Sequence, residues 1–116
     1  MSDIALEKDC YDNALLCPEC GGNNLHHGAV TMYSGTEDAK QVRITRTEGE
    51  VFSSWIAPRK TSGNPSSDRG GIVIEFWCEN CHGEWGGRPA HHIHNFRLQI
   101  QQHKGTTFLD WDIPSK

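Results

Sequence analysis

The chain has 116 residues, of which 35% are hydrophobic, and a formal net charge of −4, which fits one domain with a modest core. With a mean hydropathy of −0.63, it has no apolar stretch near the roughly 20 residues that a membrane helix needs, so a soluble, cytoplasmic protein without membrane contacts is expected. A pI of about 5.9 argues against a nonspecific nucleic-acid binder, which carries a strongly basic face.

Residues 1–16 are expected to form an N-terminal arm. Met1-Ser2-Asp3 leads into a charge-interrupted stretch with no apolar run, so no signal peptide is expected and the thiols should stay reduced. Ile4, Leu6, Tyr11, Ala14 and Leu15 follow no clear period, and a short helical turn or an ordered extension fits them. Cys10 has no partner of its type and is expected to be a free thiol.

Cys17-Pro18-Glu19-Cys20 follows, with Gly21-Gly22 behind it, and Cys78-Glu79-Asn80-Cys81 repeats the pattern ahead of His82-Gly83. Two residues between cysteines let a tight turn aim both sulfurs at one ion. Glycine behind the second thiol accepts positive φ and lets backbone N–H groups point at sulfur. Four thiols in two C-x-x-C pairs make a complete tetrahedral zinc ligand set, closed to water and substrate. One structural Zn²⁺ held by Cys17, Cys20, Cys78 and Cys81 is expected, and such a cross-link would compensate for the modest core.

The segment 21–77 between the pairs reads as strand-rich. Asn24–Tyr33 is expected as a strand, Ser34–Asp38 as a turn, and Gln41–Thr47 as a half-buried strand from its strict alternation. Glu48-Gly49 suits a hairpin turn into Val51–Ile56. Ala57–Gly71, rich in proline, glycine and serine, reads as a loop, and Ile72–Trp77 as a β-branched and aromatic strand running into the second pair. Residues 82–111 read as a glycine- and histidine-rich loop followed by a hairpin, Phe96–Gln101 and Thr106–Trp111, turning at Lys104-Gly105. The expected fold is mostly β.

Knuckle, hairpin, knuckle and final strands together resemble a zinc ribbon of rubredoxin-like arrangement, here with a long β insertion between the knuckles. The runs Cys17–Gly22, Leu25–Gly28, Ile74–Cys81 and Gln102–Thr107 look like those of small zinc-ribbon proteins encoded by bacteriophages and prophages. That resemblance implies a small protein acting on a host protein, such as transcription or defence machinery, as an anti-restriction or anti-CRISPR inhibitor would. The long stretch Glu84–Asn95 departs from the pattern.

The seven histidines raise a second possibility. His92 and His94 would share a face on a strand, and with His91 they form a possible second metal site. No carboxylate lies among them, which favours ordinary surface histidines. A metal-dependent, HNH-like hydrolase is a further alternative, but the His91–Asn95 run follows the last C-x-x-C pair instead of preceding it. No phosphate-binding loop, nucleophile elbow or dinucleotide fingerprint is present. The expected role is therefore non-enzymatic: a zinc-clasped module that binds another macromolecule.

Trp85 and Arg88 are the first candidates for the partner contact, with Phe52 and Arg59 as a second group, because exposed tryptophan and arginine dominate interface energetics. A nucleic-acid-binding ribbon is the alternative. Arg43 and Arg46, expected on one strand face, would then follow a phosphate backbone together with Lys40, Arg59, Lys60 and nearby aromatics.

Overall fold

The computed structural model describes residues 4, 6–7, 14–37, 39–66, 69–79 and 96–113. They contain strands β1 (Leu6–Glu7), β2 (Ala14–Leu15), β3 (Leu25–Ser34), β4 (Gln41–Glu48), β5 (Val51–Pro58), β6 (Gly71–Cys78), β7 (Phe96–His103) and β8 (Thr106–Asp112). The mostly-β expectation holds, and every neighbouring pair is antiparallel. No helix among these residues is long and apolar enough to cross a membrane.

β3 to β8 make one six-stranded sheet in the order β5-β4-β3-β6-β7-β8. The β4–β5 hairpin grows outward from β3, and the chain then returns so that β6 pairs with the other side of β3. Both tight hairpins use two-residue turns with the positive φ that matches strand twist. Gly49 has φ 58°, and Lys104 and Gly105 have φ 49° and 83°. The register of β3 against β6 shifts by one residue between His27 and Val30, placing a bulge at Gly28-Ala29 opposite Glu75.

Two segments differ from the sequence expectation. The arm contains no described helical turn; Leu6 and Glu7 pair with Leu15 and Ala14 in a two-stranded ribbon. The region expected as loop from Ala57 is strand to Pro58, then a 3₁₀ turn at Arg59–Thr61. An edge strand tolerates Pro58 because no inner ladder bond is lost there.

Residues opposite one another in an antiparallel pair share a face. On one face, Phe96, Leu98 and Trp111 build the core together with Cys17 and Cys78, and Ile4, Leu15, Leu25, Phe76 and Ile113 pack against it. Ile4 and Leu15 of the arm thus cover part of this end of the sheet. Phe96 is fully buried, and its ring meets Trp111 edge-on at 5.2 Å. Phe76 meets the same indole edge-on at 5.6 Å.

The other face buries Thr31, Val42, Ile44 and Val73. It also carries a row of charges that crosses the sheet. Arg46 bonds Glu48 at 3.3 Å and Glu75 at 3.0 Å. Glu75 lies opposite Arg97, which is ion-paired with Asp112.

The connection between β5 and β6 is held down by side chains acting as backbone substitutes. Arg59 donates to the carbonyls of Ala39 (2.6 Å), Thr36 (3.0 Å) and Arg69 (3.3 Å). Asn64 donates to Arg69 O at 2.8 Å and accepts from Ser66 N at 3.0 Å. The Ser66 hydroxyl donates to Gly70 O and accepts from Gln102 N at 3.0 Å, beyond the last β6–β7 pair at Ile72 and Ile100. Gly71 permits this close approach: a Cβ there would lie 2.6 Å from Asn64 Oδ1 and 2.8 Å from Pro65 Cγ.

Candidate metal centre

The first knuckle lies between β2 and β3. Cys17 N donates to Gly22 O at 2.8 Å, and Gly21 N donates to Cys17 O at 3.0 Å. This closes a tight loop around Pro18 and Glu19. Gly21 has φ 76°, a conformation that a side chain would strain. Two backbone N–H groups point at sulfur: Glu19 N to Cys17 Sγ at 3.3 Å and Gly22 N to Cys20 Sγ at 3.4 Å. Such contacts fix where the two sulfurs point.

Cys78 ends β6 directly opposite Leu25, the first residue of β3. Glu79 N donates to Asn24 O at 3.0 Å, which fixes the strand end beside the first knuckle. The β3–β6 pairing therefore delivers a thiol remote in sequence to the first two. The Sγ atoms of Cys17, Cys20 and Cys78 all lie within 4.8 Å of one another. Cys20 Sγ and Cys78 Sγ are 3.6 Å apart. That is far from a sulfur–sulfur bond of about 2.05 Å. It is close to the edge of a tetrahedron with metal–sulfur bonds of about 2.3 Å, which is about 3.8 Å.

Cys17 and Cys78 are buried and Cys20 is exposed. The cluster is continuous with the apolar core on one side and reaches solvent on the other. Three soft donors in this arrangement could hold a metal ion, and thiolate ligands suit a soft or borderline cation. Cys81, expected as the fourth ligand, lies outside the described residues. So do Cys10, the candidate second site of His91, His92 and His94, and the candidate contact residues Trp85 and Arg88.

On the opposite face, next to the knuckles, His26 stacks on Trp77 with ring centroids 4.3 Å apart and planes 10° apart. Its Nε2 is 3.0 Å from Glu79 Oε2. The sequence carries no local mark of this trio, because the bulge in β3 decides which residues face each other there.

The remaining candidates are scattered. Arg43 and Arg46 do not share a face: three positions apart on a strand, they point to opposite sides. Arg43 is exposed and donates to Ser54 Oγ at 3.3 Å. Arg46 is engaged by two carboxylates, and its bond to Glu75 is the main cause that raises its pKa above the ordinary arginine value. Arg59 spends its guanidinium on three carbonyls of the fold. Phe52 stands exposed on the edge strand β5, with 66% of its surface accessible. No family model matches the chain, and neither a curated protein nor a solved structure matches it.

Proposed function

We propose that Cys81 joins Cys17, Cys20 and Cys78 to hold a single Zn²⁺, and that the ion is structural. In this reading the chain is a zinc ribbon whose two knuckles are separated by a β insertion, and its metal cross-links β6 to the segment before β3. The observation that carries the reading is the meeting of Cys20 and Cys78 at 3.6 Å. A site of four thiolates has no open coordination position, so it supplies rigidity and no Lewis-acid catalysis.

On that scaffold the protein is a non-enzymatic module that binds and modulates another protein. The resemblance to phage- and prophage-encoded zinc ribbons makes a component of host transcription or defence machinery the proposed target. A protein partner is favoured over nucleic acid by the engagement of four of the basic side chains. Arg46, Arg69 and Arg97 each face a carboxylate, and Arg59 is absorbed by backbone carbonyls, so these four offer no free basic track for a phosphate backbone.

Affinity capture from bacterial lysate with zinc-loaded and chelator-treated protein tests the role. A partner retained at micromolar concentration only by the zinc-loaded form is expected. Binding to DNA or RNA that weakens steeply with salt, with no protein captured, would replace this reading by the nucleic-acid one.

A further inference from the structure

β5 is an edge strand of unusual composition. β4 covers one side of it, and among the described residues no strand pairs with the other. Val51–Pro58 contains no charged residue. Val51, Phe52, Trp55 and Ile56 are 66%, 66%, 43% and 55% exposed. Edge strands are ordinarily guarded by lysine, by inward-pointing charges or by short length, because their free N–H and C=O groups template further pairing. The opposite edge, β8, carries Asp110 and Asp112 among its exposed Phe108 and Leu109. β5 is guarded only at its end, where Pro58 has no N–H to offer.

The hydrogen-bonding parity of β5 follows from its hairpin. Glu48 and Val51 face each other across a two-residue turn, and Arg59 N continues the ladder to Lys40 O at 2.8 Å. Odd-numbered residues therefore turn their backbone groups toward β4. Phe52, Ser54 and Ile56 turn theirs outward.

We infer that this edge pairs antiparallel with the β5 edge of a second copy of the chain. A two-fold axis at Ser54, perpendicular to the sheet, places Ser54 opposite its own counterpart and Phe52 opposite Ile56. Outward groups then meet outward groups, and the six-stranded sheets of two protomers become one. Both protomers keep the same face on the same side, so Phe52 and Ile56 pack as cross-strand apolar pairs.

Charge selects this orientation. β5 is preceded by exposed Glu50 and followed by exposed Lys60. Antiparallel pairing brings the acidic end of one strand beside the basic end of the other, whereas parallel pairing would bring like charges together. The contact is isologous and closes at two copies.

Sedimentation equilibrium on the full, metal-loaded chain tests the inference. Wild type should show twice the chain mass of 13.0 kDa. Ser54→Pro removes one outward N–H without touching the β4 ladder, and Ile56→Lys places a guard charge on the edge. Each should give a monomer with unchanged far-UV circular dichroism. Ser54→Cys should yield a covalent dimer linked through residue 54 in both chains, since hydrogen-bonded pairs have Cα atoms about 5.5 Å apart, within disulfide reach. A wild-type monomer up to hundreds of micromolar, a dimer that survives both the proline and the lysine variants, or open-ended growth into larger species would each overturn it.

Discussion

Cys20 and Cys78 lie 58 positions apart in the chain, yet their Sγ atoms are 3.6 Å from each other. The pairing of β3 with β6 makes this possible, because it sets Cys78 opposite Leu25, just behind the first knuckle. The same two strands carry the bulge, the His26–Trp77 stack and the link from knuckle to core. Cys17 and Cys78 pack directly with Phe96, Leu98 and Trp111. The cysteine cluster that could hold a metal and the core packing therefore meet at one end of the sheet.

That meeting gives Phe96 a large weight. It is 0% exposed and touches Trp111 edge-on. Phe96→Ala should destabilise the fold by about 3–5 kcal/mol through lost burial and the cavity left behind. Thermal melting should then fall by roughly 10–20 °C. The variant should also release bound metal to a competing chelator faster than wild type. A melting temperature within a degree or two of wild type would show that the core lies elsewhere.

Arg59 gives a second prediction. Its three carbonyl contacts tie Thr36, Ala39 and Arg69 together. Arg59→Ala should cost about 1–3 kcal/mol, in the range of hydrogen bonds made by a charged group. Arg59→Lys should recover only part of the loss, since an ammonium lacks the planar fork that reaches several acceptors. Urea denaturation of the three proteins checks both statements. Full rescue by lysine would mean that charge alone matters at this position.

How far the fold could be read from the chain depended on whether the signal was local. Gln41–Thr47 and Phe96–Gln101 alternate cleanly, and the hairpin turns are marked by Gly49 and Gly105, so these strands and turns were legible. The β1–β2 ribbon was not, because two-residue strands are too short to show a period. The β3 bulge leaves no compositional mark beyond Gly28, and the roles of Arg59 and Ser66 depend on residues far along the chain. Arg43 and Arg46 are a different case: strand parity alone separates them. The cysteine cluster was legible because C-x-x-C spacing is a local device, although only the sheet shows how Cys78 reaches the other two.

Tyr33 supplies a pH test. Burial favours the neutral phenol and is the main influence on it, so its pKa lies above the ordinary value of 10.0, with Arg97 pulling weakly in the other direction. A raised folded-state value means that this contribution to stability is complete below about pH 10 and is lost as pH rises through the folded value. Wild type should therefore lose stability in that alkaline window. Tyr33→Phe should show a flatter profile there in pH-dependent urea unfolding. Parallel alkaline limbs for the two proteins would contradict the burial of this phenol.

In the proposed clasp, sulfur from two distant stretches of the chain closes around one ion that holds the fold. Native mass spectrometry of the protein as purified tests it most directly, read together with the circular dichroism of chelated and Cys78→Ser samples. One Zn²⁺ per chain is expected in wild type and none in the variant, with a melting temperature lower by about 10 °C or more once the metal is gone. A metal-free polypeptide that is natively folded, or a chelated one that keeps its full structure and stability, would contradict the account.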